Sequence, residues 1–154
     1  MNTTITSRRI IAGAGALAIA GGLAAAGAGL ACAGTVPVTH PGEPTIAMTI
    51  TNHTDRTEWL ESATPGSGGW VSAPHAALAP GASETVVSTA PHAPYETDFV
   101  TYRLGAVGPS ATYEVQNVRG EVNTGMTGTT AGHYFIDAHI DSGFPNVNAS
   151  FDQW

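Results

Sequence analysis

Four polar residues near the C-terminal end of the chain, His133, Asp137, His139 and Asp141, have the types and spacing that could hold a metal ion. All occupy odd positions of one alternating segment, so on a strand they share a face, with neighbours about 7 Å apart. At that spacing an H-x-D pair such as His139 and Asp141 can close on zinc or copper. One strand supplies few ligands, however, and the solvated face of an amphipathic strand is the plainer account of the same pattern. His40, His53, His75 and His92 lie in Pro-rich or turn-rich stretches, where spacing alone gives them no shared site. No cofactor is implied.

Catalytic patterns are missing. Ser67 stands in Pro65-Gly66-Ser67-Gly68-Gly69, which is a flexible hairpin loop and not a G-x-S-x-G elbow between strand and helix. Glu58 with Glu61, and Asp137 with Asp141, are pairs that twelve acidic residues make inevitable, and they carry no glycosidase signal. These residues predict a non-enzymatic protein. Trp59, Trp70 and Trp154 are candidates for stacking on sugars or anchoring at a lipid headgroup layer, against the simpler alternative of core packing. Trp154 shares its face with Asn148, Ser150 and Asp152, which excludes the apolar outer band of a membrane barrel.

These side chains must be positioned by short strands. Thr45 to Thr51 alternates, with Ile46, Met48 and Ile50 on one face. Thr57 to Ala63, Trp70 to Ser72, Ser83 to Ala90, Asp98 to Leu104, Thr112 to Val118, His133 to Asp141 and Val147 to Gln153 follow, separated by Gly, Pro, Asn and Asp. Val100, Tyr102 and Leu104 form one apolar face. Tyr113 with Val115, then Tyr134 with Ile136, Ala138 and Ile140, and finally Val147 with Ala149 and Phe151 form others. Arg119 to Gly132 reads as a polar loop. About eight strands with no helical period predict an all-β fold, a single antiparallel β-sandwich over residues 45–154.

The first 33 residues read as an export signal. Ser7-Arg8-Arg9 precedes an uncharged run of 22 residues, Ile10 to Ala31, and Ala31-Cys32-Ala33 supplies an A-x-A cleavage site. Arg8 and Arg9 before a glycine-diluted apolar core resemble a bacterial twin-arginine signal; a Sec signal or an uncleaved anchor are the alternatives. Cleavage after Ala33 predicts a secreted protein and removes the one cysteine. Retention through a lipid-modified Cys32 is the alternative. Gly34 to Pro44, with Pro37, Pro41 and Pro44, is an extended lead-in.

The chain has no lysine. Beyond residue 33, Arg56, Arg103 and Arg119 face 12 acidic residues, leaving a net charge of −9. Such a field repels nucleic acid and gives no electrostatic docking to anionic lipid.

The order of landmarks resembles the aegerolysin and actinoporin-like β-sandwiches, secreted proteins that meet membranes. The resemblance runs through Asn52-His53-Thr54, Leu60, Gly69-Trp70, Ala73-Pro74, Leu78-Ala79-Pro80-Gly81, Val100-Thr101-Tyr102 and Tyr113-Glu114-Val115-Gln116-Asn117. It implies a protein that binds membrane lipid, with Trp70, Tyr102 and Tyr113 at the headgroup and a separate pore-forming partner protein. The proline-broken lead-in departs from the amphipathic N-terminal helix of actinoporins, so the aegerolysin type fits better. An extracellular or cell-envelope domain that binds protein or glycan is the alternative with the same fold.

Overall fold

A computed structural model describes residues 43–154. The expected export signal and most of the lead-in lie outside the described residues. The described chain is all-β, with eleven strands in two facing sheets. They are β1 (Thr45–Asn52), β2 (Glu58–Thr64), β3 (Gly69–Ser72), β4 (Ala77–Leu78), β5 (Ser83–Thr89), β6 (Tyr95–Leu104), β7 (Ser110–Val118), β8 (Glu121–Asn123), β9 (Gly128–Thr129), β10 (Ile136–Ile140) and β11 (Asn146–Gln153). One sheet has the order β10-β11-β1-β5-β3. The other has the order β4-β2-β6-β7-β8, with β9 also on β7.

Alternation builds the core. Ile46, Met48 and Ile50 of β1, Val100, Tyr102 and Leu104 of β6, Ala111, Tyr113 and Val115 of β7, and Val147, Ala149 and Phe151 of β11 turn inward and are buried. Tyr113 sits at the centre, edge-on to Tyr102 and to Phe151, with ring centroids 6.4 and 5.6 Å apart. Each such pair adds to the stabilisation that burial alone gives.

Three features depart from the sequence expectation. The sandwich is not wholly antiparallel, because β1 and β11 run parallel in unbroken register from Thr45↔Asn146 to Asn52↔Gln153. Parallel pairing needs a long crossover, and here the whole remainder of the sandwich supplies it. The polar loop expected over 119–132 holds two short strands, β8 and β9, on the free side of β7. The buried Glu114 fastens their connection by accepting from the Met126 amide at 2.8 Å. Finally, β1 is buried on both faces. Its outer residues are small, and Thr49 sits between Ser150 and Thr85, bonding the latter through its hydroxyl at 3.1 Å.

The registers define two rims. Parallel β1 and β11 both finish at Asn52 and Gln153, and antiparallel β5 and β10 start there. Buried Asn52 ties this end to the second sheet by donating to the carbonyls of Arg56 and Leu78 at 2.7 and 3.1 Å. The rim therefore gathers the turns at 53–57, 79–82 and 105–109, together with Trp154. The opposite rim gathers Pro44, the turn at 65–68, the break at 90–94 and Pro145. At that rim Gly66 has a φ of +53°, a value favouring glycine, and a Cβ there would lie 2.3 Å from the Thr97 carbonyl oxygen.

Candidate functional site

Two of the three residues expected at a lipid headgroup are sealed in the core. Tyr102 and Tyr113 are each 0% exposed. Both occupy inward positions of central strands, so their rings pack between the sheets and cannot touch a surface ligand. This corrects the expectation for them. Their hydroxyls satisfy buried carboxyl groups instead. Tyr113 donates to Glu58 Oε2 at 2.9 Å. Tyr102 donates toward Glu84 Oε1, with the His75 carbonyl oxygen 2.8 Å away. Burial, and then the adjacent carboxylates, push both phenols far above their ordinary range.

The interior carries an unusual load of acid. Glu58 on β2 and Glu96 and Asp98 on β6 are each 0% exposed. Burial raises Glu58 to about 7, the Tyr113 hydrogen bond working against it. Burial likewise raises Glu96 to about 7 and Asp98 to about 8. Asp98 accepts from the Ser88 hydroxyl, and the neighbouring Glu96 pushes it up further. Neither oxygen of Glu96, nor Asp98 Oδ1, nor Glu58 Oε1 has a hydrogen-bond partner among the described residues. Gly68 closes over this acid pair, since a Cβ there would fall 2.6 Å from Glu96 Oε1 and 2.2 Å from the Thr89 carbonyl oxygen. Carboxyls that stay protonated near neutrality need no counter-charge, which explains how a sandwich without lysine tolerates them.

Trp70 is half-buried. It packs against the core from β3, opposite Ser88 of β5, while Val71 beside it is exposed. The metal candidates separate. Asp137 and His139 are exposed on the outer face of β10, as expected, but His133 lies in the turn before that strand and does not join them. The strand begins only at Ile136, because Gly132 and the Ala131–Tyr134 hydrogen bond make a turn of the preceding residues. His139 Nε2 contacts Asp141 Oδ1 at 3.1 Å. No group of three or more His, Cys, Asp or Glu able to hold a metal occurs among the described residues.

The residues that come together at the surface are others. The Trp154 indole stacks on the His53 imidazole, centroids 4.0 Å apart and planes 6° from parallel. His53 Nε2 meets Asp152 Oδ1 at 2.7 Å, which holds the imidazole against the indole. Phe135 lies directly across from Trp154, since the two exchange backbone hydrogen bonds at 3.1 and 3.0 Å, extending the β10–β11 ladder by one pair. Their side chains therefore leave the sheet on the same side. Trp154 is 48% and Phe135 61% exposed. Val107, at the tip of the β6–β7 hairpin on the same rim, is 93% exposed. Large side chains left in water at neighbouring positions are the surface feature least explained by folding. The sequence marks Trp154 only as one of three tryptophans that could stack on a sugar or anchor at a headgroup layer. The missing signal was register, because nothing local says that Phe135 or the turn residue His53 ends beside it. Trp59 is also exposed, but on the outer face of the second sheet opposite Arg103, apart from this group.

No helix among the described residues is long and apolar enough to cross a membrane. No family model matches the chain, and no curated protein matches it. Among solved structures, the fold is similar to that of the lipid binding protein Nakanori. The two share 8% identity over 71% of this chain and 70% of the other, with a TM-score of 0.57.

Proposed function

We propose that this protein is a non-enzymatic binder of lipid surfaces, docking through the rim that carries Trp154, Phe135 and Val107. The observation behind this reading is the exposed aromatic group at one end of a sandwich whose fold is similar to that of a lipid binding protein. Trp and Phe suit the boundary between headgroups and acyl chains, and the stacked His53 stiffens the indole so that less freedom is lost on insertion. The net charge of −9 beyond residue 33 directs the protein to zwitterionic or neutral lipid. In this reading the N-terminal segment exports the protein, the target is outside the producing cell, and a separate pore-forming protein acts after docking.

Vesicle flotation tests this, with phosphatidylcholine, sphingomyelin–cholesterol and phosphatidylserine vesicles compared at equal protein. The wild-type protein floats with at least one of the first two. The double substitution Phe135→Ser with Trp154→Ser weakens that partition about a hundredfold or more, because each ring forfeits roughly 1.5–3 kcal/mol of burial. Substitution of Trp70 leaves it within about twofold. A wild-type protein that floats with none of these vesicles overturns the proposal. So does a double variant that floats as well as the wild type.

A further inference from the structure

We propose that β10 pairs antiparallel with β10 of a second copy of this chain, joining two molecules through one continuous sheet about a twofold axis at Ala138. The inference does not rest on the lipid reading.

It begins with the open edge. In its sheet β10 has one strand neighbour, β11. Phe135 and Trp154 exchange both of their hydrogen bonds, and the Asp141 amide donates to the Asn148 carbonyl. The unbroken register between those pairs turns the amides and carbonyls of 135, 137, 139 and 141 toward β11. Those of Ile136, Ala138 and Ile140 therefore point away from the sheet, where no strand among the described residues meets them. Folded sheets normally blunt such an edge. β3, at the other end of the sheet, carries an irregularity between Trp70 and Ser72 and is soon followed by Pro74. In the second sheet β4 has two residues, β8 three and β9 two. β10 has none of these devices. It is five residues long, regular along β11, free of proline, and part of a chain with no lysine.

The sequence of this edge is its own complement. Ile136-Asp137-Ala138-His139-Ile140 reads with the same chemistry in both directions, except that Asp137 and His139 exchange places. An antiparallel pair centred on Ala138 sets Ile136 opposite the second copy's Ile140 and Ala138 opposite its equivalent. These are the positions whose backbone groups point outward, so they become the hydrogen-bonded pairs. Asp137 then faces the other copy's His139 in the close, non-hydrogen-bonded pairing, twice by symmetry. Moving the centre by one residue sets Asp137 against Asp137, or else Asp137 against Asp141, which like charge disfavours. On the inner face Ile136, Ala138 and Ile140 are only partly buried against the core, so a partner strand covers apolar surface that the single molecule leaves half open. The arrangement is isologous, as a closed dimer requires.

Sedimentation velocity on the purified protein, from about 1 μM to about 1 mM, tests this. The expected result is a rise from monomer to dimer mass and no further. Ala138→Pro removes the two central hydrogen bonds of the pair while sparing the β11 ladder, which does not use that amide; this variant stays monomeric with an unchanged circular dichroism spectrum. His139→Asp sets carboxylate against carboxylate and weakens the dimer about tenfold or more, and adding Asp137→His to it restores association. A protein that remains monomeric throughout overturns the proposal, including one whose β10 amides resist hydrogen exchange because its own residues 34–42 cover the edge. A dimer indifferent to both Ala138→Pro and His139→Asp overturns it equally.

Discussion

Raising the pH from about 5 to about 9 will destabilise this protein, the opposite of the usual behaviour of an acidic domain. Glu58, Glu96 and Asp98 are held up to about 7, 7 and 8 by burial. In the unfolded chain the same groups lose their protons near 4, so between those values the folded state binds more protons. Their contribution is fully present below about pH 4 and is lost as the pH climbs through 7 to 8. A single carboxyl raised by two units contributes roughly 3 kcal/mol to that loss. Urea unfolding at a series of pH values measures it. Asp98→Asn keeps an oxygen for the Ser88 hydroxyl and removes the titrating group, so it flattens the profile between about pH 4 and about pH 8. Stability that is level or rising across this interval would show that the interior acids are ionised in the folded protein.

The second large effect lies at Phe151. This ring is 0% exposed, meets Tyr113 edge-on, and sits on β11 between Ile50 and Ala138. Phe151→Ala leaves a cavity where the parallel pair meets the opposite sheet, and costs about 3–5 kcal/mol. Against a total of roughly 5–15 kcal/mol, that removes at least about a fifth of the stability. The urea midpoint falls accordingly, with the slope unchanged. A loss below about 1 kcal/mol would mean that the sheets close over the gap, and that the Tyr113–Phe151 contact is not central to the core.

Much of the scaffold was legible because alternation is a local signal. Val100, Tyr102 and Leu104, or Val147, Ala149 and Phe151, declare their face within a few residues. The same signal placed Tyr102 and Tyr113 inward, against the likeness that put them at a headgroup. An aromatic at an inward position reads as core by period, and only the family likeness moved these two to the surface. Nothing local marks Glu96 and Asp98 as buried, although they continue the inward face of Val100 on β6. Carboxylates read as exposed because burial of a charge is costly, yet these groups escape that cost by keeping their protons. Of the rim, only Trp154 was a candidate, and its neighbours could not be read. His53, Phe135 and Trp154 come from three distant stretches, and the pairing that joins them is a property of register, which depends on the whole sheet.

The parallel union of the first and last long strands has a mechanical consequence. Residue 45 enters β1 at one rim, and residue 153 leaves β11 at the other. A pull on the two chain ends loads the eight registered pairs between them lengthwise, so their hydrogen bonds are sheared together instead of parting one by one. Single-molecule stretching will find a high rupture force along this axis and a much lower one when the handles are placed at residues 45 and 146, where the same seam peels open like a zip.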